Sequence, residues 1–281
     1  MGVVQLKKKE REFNLTDKDF NLISKIVGDR TGIVLSPAKR DMVYSRLTRR
    51  LRSLGLTHFS DYCELIQSGD EAELLELTNA ITTNLTSFFR EKHHFDYLSK
   101  TVLPKLLKQK TNKKIRIWSA GCSSGEEPYS LAITIKENVP STWDVKILAT
   151  DLDTNMVAKG KNGTYEIEKL TGLSNNQMKK WVQRGRGNQE GLVRMSPSLR
   201  EMITFKQLNL MHDWPINGPF DFIFCRNVVI YFDKDTQRIL FERYANLLDQ
   251  SAHLFIGHSE SLHNVTTRFK LLGKTIYQKI G

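Results

Sequence analysis

Apolar positions in the first third of the chain recur at the three- and four-residue spacing of a helix. Thr16-Asp17 is a start signal, and behind it Phe20, Ile23, Ile26 and Val27 share one face. Ser36-Pro37 is a second start. Val43, Tyr44, Leu47, Leu51 and Leu54 follow on one side of a helix, with Lys39, Arg46, Arg49 and Arg50 grouped on an adjoining side. Similar patterns over Phe59–Gln67 and Glu71–Ile81 predict an all-helical domain over residues 13–83. Residues 1–12, rich in Lys and poor in apolar side chains, read as a flexible basic tail.

The period changes at Ile115. Lys114–Trp118 predicts a short strand, followed by a Gly/Ser turn and a helix from about Glu126 to Glu137. Val145–Thr150 predicts a second strand ending at Asp151, with Asp153 placed to cap the next helix. Phe220–Cys225, Lys234–Leu248 and His253–Gly257 continue as strand, helix and strand. Strands alternating with helices imply an α/β fold with a doubly wound, mostly parallel sheet. Residues 160–207 break that rhythm with Gly163, Gly172, Gly185, Gly187 and Gly191 among short alternating segments such as Leu192–Met195, and with a helical stretch over Ser174–Arg184. They predict an inserted subdomain within a domain running over 84–281.

Composition adds limits. The 281 residues, 40% hydrophobic and 26% charged, suit a soluble protein of one large or two moderate domains. No apolar run approaches the ~18–20 residues that span a bilayer, and the N-terminus lacks a signal-peptide core, so the expected location is the cytoplasm. Cys63, Cys122 and Cys225 are far apart, which argues against disulfides and a zinc site; buried thiols and no metal are expected. The formal charge of +11 is uneven. Residues 1–60 carry 13 Lys/Arg against 6 Asp/Glu, residues 156–206 carry 10 against 4, and the rest is near neutral. Two basic regions suggest an acidic macromolecular partner, either nucleic acid or protein.

Ligands of open α/β sheets bind beyond the carboxyl ends of the strands. There the first strand ends in Ser119-Ala120-Gly121-Cys122-Ser123-Ser124-Gly125-Glu126-Glu127-Pro128. Gly-x-Gly-x-x-Gly is absent, and two carboxylates at the helix start would repel a pyrophosphate. They suit a phosphate-free ligand bearing ammonium and sulfonium groups, although acids also favour the positive end of a helix without any ligand. Asp151, closing the second strand, is placed to accept hydrogen bonds from ribose hydroxyls. Polar Arg226 and Asn227 interrupt an apolar run at the end of Phe220–Cys225, and serve either a ligand or a structural network. Thr82–Glu91 reads as a polar turn entering a helix, with Ser87 a plausible cap.

Together Thr82–Glu91, Ser119–Ser130, Ala149–Asp153, Phe220–Asp233 and Gly257–Glu260 resemble the chemoreceptor glutamate O-methyltransferases, the CheR-type enzymes of bacterial chemotaxis. The resemblance implies a class I S-adenosylmethionine-dependent methyltransferase domain with a small β-containing insertion, behind an all-α N-terminal domain. It assigns cofactor contacts to Asn84, Thr86, Arg90, Glu126, Asp151, Asn209, Leu210, Arg226 and Asn227, and places Arg90 and Tyr231 closest to the reacting centre. Arg184-Gly185-Arg186-Gly187-Asn188-Gln189-Glu190-Gly191 looks like the glycine-rich loop of members that dock a receptor's C-terminal peptide; an ordinary hairpin turn is the alternative. The implied partner is the cytoplasmic part of chemoreceptors, met by Lys39, Arg46, Arg49 and Arg50, with a monomeric enzyme recruited to membrane-bound receptor arrays. A nucleic-acid methyltransferase and a non-catalytic S-adenosylmethionine-binding regulator are the competing functions.

Overall fold

The computed structural model describes residues 11–280, so most of the predicted tail lies outside the described residues. Its last two residues are tied down: Arg11 pairs with Asp41 and Glu12 with Arg52. The chain divides into two compact units, residues 1–81 and 82–281.

The first unit is helical, with α1 (Asp17–Thr31), α2 (Arg40–Leu54), α3 (Phe59–Gln67) and α4 (Glu71–Ile81). Thr16 and Asp19 form a reciprocal capping box that satisfies orphan N–H groups at the start of α1. Ile23, Val43, Leu47, Leu51, Phe59 and Tyr62 are fully buried, as their spacing predicts. Of the basic side chains beside α2, Arg46 donates to the carbonyls of Ala80 and Ile81, at 3.3 and 2.6 Å, closing the end of α4. Arg50 grips the buried Glu73 carboxylate, 2.5 Å from Nη2 to Oε2. Arg49 stands exposed, and Lys39 ends a short 3-10 turn.

The second unit opens with α5 (His93–Tyr97), which passes through a π-helical stretch, Leu98–Val102, into α6 (Leu103–Gln109). Then come β1 (Lys114–Ala120), α7 (Glu126–Asn138), β2 (Asp144–Asp151), α8 (Thr154–Asn162), β3 (Thr164–Glu166), α9 (Asn175–Trp181), β4 (Val182–Arg184), β5 (Leu192–Met195), α10 (Pro197–Arg200) and β6 (Ile203–Gln207). β7 (Phe220–Cys225), α11 (Lys234–Leu247), β8 (Leu248–Ile256), β9 (Phe269–Gly273) and β10 (Ile276–Lys279) complete it. Seven strands form one sheet in the order β6-β2-β1-β7-β8-β10-β9. All neighbours up to β8 run parallel, and β10 is antiparallel to both of its neighbours. Every residue of β7 is buried, because a strand central to a parallel sheet is covered on both faces.

Three expectations need correction. Ser174–Arg184 is not one helix: it ends at Trp181, and Val182–Arg184 becomes β4, pairing with β5 through Val182↔Met195 and Arg184↔Val193. The tertiary partner overrides a local pattern that β-branched Val182 supported weakly. The inserted sheet, β3-β5-β4, closes at Met195, and Ile203–Gln207 belongs to the large sheet beside β2. Ser87 caps no helix, since turns separate it from α5, whose N-cap position is held by Lys92 without a side-chain bond.

Candidate active site at the carboxyl ends of β1, β2 and β7

Three turns meet here, and each is shaped by its own residues. The turn after β1 begins at Gly121, whose amide and that of Cys122 donate to the Thr150 carbonyl at 2.8 and 2.9 Å. Gly121 has φ +82°, and a Cβ there would lie 2.3 Å from Val228 Cγ2, so only glycine lets this turn pack against the one after β7. α7 then starts with buried Glu126 and nearly buried Glu127. Glu126 accepts from Ser124 Oγ at 2.7 Å, and Glu127 accepts from Ser119 Oγ at 2.7 Å. Burial raises the Glu127 carboxyl above its ordinary range despite Arg226. Cys122 is buried, and burial holds its thiol well above the usual thiol range, which leaves it unreactive.

Asp151 closes β2. Its Oδ2 accepts from Ser123 N at 2.7 Å and its Oδ1 from Asp153 N at 2.9 Å. Burial outweighs these hydrogen bonds and lifts its carboxyl to about 6. Among the described residues neither Asp151 nor Glu126 has an ion-pair partner, so each keeps acceptor capacity for ligand hydroxyl or ammonium groups. Leu208 N donates to Asp151 O at 2.9 Å, which brings the following Asn209-Leu210 to the same edge. Asn209 Oδ1 accepts from Met211 N, and Leu210 is buried in the cluster around Trp118 and Ala120.

The segment before α5 is pinned to these turns. Asn84 Nδ2 donates to Asp153 Oδ2 at 2.7 Å, its carbonyl accepts from Ser123 Oγ, and Thr82 Oγ1 reaches the same aspartate oxygen. Asp153 therefore caps α8 and holds this loop at once. Thr86 lies within it, half-buried. Arg90 Nη1 donates to Leu85 O at 2.8 Å, and the Arg90 carbonyl accepts from Arg226 Nη2 at 2.5 Å. Arg226 is buried between two carboxylates, 3.6 Å from Glu91 and 3.6 Å from Glu127. It thus joins the loop to the start of α7. Burial opposes ionisation of Glu91, but the His258 hydrogen bond and Arg226 hold its carboxyl below the ordinary range.

The turn after β7 is held by a residue that sequence patterns did not single out. Buried Glu260 accepts from the backbone amides of Asn227, Val228, Ile230 and Gly257, at 2.9, 2.8, 3.3 and 2.5 Å. Asn227 takes a left-handed φ of +59°, and Gly257 passes so close that a Cβ would meet Asn227 Nδ2 at 2.4 Å. Tyr231 rides on this stapled turn, half-buried. Glu91, Glu127 and Glu260 had only weak sequence signals: acids beside polar motifs, without spacing to show that they converge.

The structure thus joins Asn84, Arg90, Glu126, Asp151, Asn209, Leu210, Arg226, Asn227 and Tyr231 at one edge of the sheet through these turns. Arg184, Gly185, Arg186, Gly187 and Gly191 are elsewhere, at the end of β4 and in the β4–β5 connection, where both arginines are exposed. Lys39, Arg46, Arg49 and Arg50 belong to the helical unit.

Residues 84–278 match the family model described as CheR methyltransferase, SAM binding domain, and residues 18–82 match CheR methyltransferase, all-alpha domain. The chain is 44% identical to the chemotaxis protein methyltransferase of Escherichia coli K12, over 94% of this chain and 91% of that protein. It is 43% identical to the Salmonella typhimurium LT2 protein of the same name, over 94% and 90%. It is 42% identical to chemotaxis protein methyltransferase 2 of Pseudomonas aeruginosa PAO1, over 95% of each.

Proposed function

The chain belongs to the CheR family of chemotaxis protein methyltransferases, and on that premise we propose that its acceptors are glutamate side chains of chemoreceptors, converted to methyl esters. It is an S-adenosylmethionine-dependent enzyme, and neither a nucleic-acid substrate nor a purely regulatory role is favoured by relatives that all carry the chemotaxis methyltransferase name. The observation carrying the reading is a polar edge where buried Asp151 and Glu126 have no ion-pair partner among the described residues, while two arginines guard the neighbouring turn. That donor set fits S-adenosylmethionine, which is cationic and free of phosphate. In this reading Asp151 accepts from ribose hydroxyls, Glu126 and Asn84 offer acceptors, and Asn209, Leu210, Thr86, Arg226 and Asn227 complete the wall. When bound, the cofactor supplies an electrophilic methyl group on a sulfonium.

The chain's own work is positioning. A glutamate carboxylate has an ordinary pKa near 4.3 and is already a nucleophile at neutral pH, so no general base is needed. In-line displacement depends on alignment. Arg226 fixes the main chain of Arg90, and Glu260 fixes the turn carrying Tyr231. Arg90 and Tyr231 then orient the acceptor without neutralising its attacking oxygen, and the buried surroundings keep water from stabilising the reactant charges.

The receptor's C-terminal peptide is the proposed second contact. Among the described residues β4 pairs only with β5, which leaves its other edge for an added strand, and exposed Arg184 and Arg186 beside it suit an acidic peptide. This contact would recruit a monomeric enzyme to receptor arrays; among the described residues no helix is long and apolar enough to cross a membrane. The test uses tritiated-methyl donor and receptor-containing membranes. Alkali should release volatile methanol, and a base-stable product would overturn the ester assignment. Arg90→Ala should lower kcat about 100-fold with an unchanged melting temperature.

A further inference from the structure

The segment carrying Arg90 also gathers groups that methyl transfer does not use. Three of the chain's seven histidines, His93, His94 and His258, surround Glu91. One ligand atom from each of Glu91, His93 and His94 lies within 4.8 Å of the others. His258 Nδ1 is 2.9 Å from Glu91 Oε1, leaving Oε2 for a different partner.

Hydrogen bonding fixes which nitrogen of His94 is bare. The Lys274 carbonyl can only accept, so His94 Nε2, 3.0 Å away, carries the hydrogen, and His93 Nε2 at 3.3 Å donates to the same oxygen. In the neutral ring His94 Nδ1 is then a lone pair. The His94 side chain is fully buried, and its Nδ1 and Glu91 Oε2 both lack a hydrogen-bond partner. These two acceptors face each other at 3.5 Å. Two buried acceptors in that arrangement call for a cation or a donor between them, beyond Arg226, which lies 3.6 Å from Glu91 Oε2. A histidine whose second N–H is held by a backbone carbonyl is also the arrangement that orients metal-bound imidazoles.

We propose that Glu91, His93 and His94 form a binding site for a transition-metal dication of the zinc class. Two imidazoles and a carboxylate match the ligand preference of that ion, with a position left for water. Arg226 Nη2, 3.6 Å from Glu91 Oε2, opposes a cation and lowers the affinity. The same closeness couples the ion to the active site. Occupancy draws the Glu91 charge away from Arg226, which holds the Arg90 carbonyl, so the ion acts as a brake on methyl transfer.

The test titrates Zn2+ into the full-length, chelator-treated protein by calorimetry and reads Co2+ substitution by its visible absorption. One equivalent should bind, and the buried cysteines offer no competing thiolate. His93→Ala, at a half-buried position, should keep the circular-dichroism spectrum, weaken Zn2+ binding at least about tenfold and relieve zinc inhibition of methyl transfer. His94→Asn should abolish the Co2+ band. Absent Zn2+ binding, unchanged affinity in His93→Ala, or a zinc-soaked crystal showing a water between Glu91 and His94 would each overturn the site.

Discussion

In the helical unit, the buried carboxylate of Glu73 is answered by positive charge. Arg50 grips Glu73 with three short N–H···O contacts, and Arg46 closes the last carbonyls of α4. In the α/β unit, Asp151 and Glu260 are buried against backbone amides, without an ion-pair partner among the described residues, and both carboxyls are pushed up by burial. A carboxylate gripped as Glu73 is by Arg50 is spent on the scaffold. One held by amides keeps lone pairs and proton affinity available, or fixes a turn that a ligand can use. The two basic regions differ in the same way, because the α2 arginines are largely engaged internally while Arg184 and Arg186 stand exposed beside β4.

The strongest challenge to this contrast is Glu260→Ala. It leaves four amides without their acceptor and should cost about 3–5 kcal/mol in urea unfolding, together with most methyl transfer. A loss below 1 kcal/mol would mean that amides alone do not define the turn. Arg50→Ala should cost about 2–3 kcal/mol, less than a fully buried pair because Arg50 is partly exposed, with S-adenosylmethionine affinity unchanged. A changed affinity would break the division between scaffold and site.

Asp151 gives a pH signature. Its folded carboxyl lies near 6, above its ordinary value of 3.8, so the folded state binds the extra proton and the group lowers stability as pH rises from about 4 to 6. Ligand hydroxyls need the ionised form, so cofactor affinity measured by calorimetry should rise with pH over that window, by up to about tenfold per unit. Asp151→Asn should flatten the profile, and a profile that stays steep would assign the proton elsewhere. The smallest effect is expected for Arg184→Ala with Arg186→Ala: stability within about 0.5 kcal/mol, but weaker, less salt-sensitive binding of a receptor C-terminal peptide. Unchanged peptide binding would move the docking contact off this loop.

Much of this architecture is legible in the sequence, for local reasons. Thr16 and Asp153 cap as their positions require, and β1, β2 and β7 read as strands because their apolar runs are short and bounded by polar turns. Glu126, Asp151, Arg226 and Asn227 stood out because polar residues at strand ends have few structural uses. The missed features depend on distant partners. β4 is a strand only because β5 lies beside it, β6 joins the large sheet through β2, and the roles of Arg46 and Arg50 follow from α4. For Arg226 the sequence leaves a ligand or a structural network open, and its observed bonds run to Arg90 and the flanking glutamates.

Glu260 sits 30 to 33 residues beyond the amides of Asn227, Val228 and Ile230. During synthesis, Arg226 to Tyr231 leave the ribosome well before the carboxylate that gives them their shape. The turn cannot settle until α11 has folded and β8 has zipped onto β7, which makes it one of the later, non-local events of folding. A nascent or truncated chain ending before Gly257 could therefore possess the nucleoside-side turn after β1 and still lack an ordered catalytic turn. Catalytic competence would then appear only once Gly257 to Glu260 are in place.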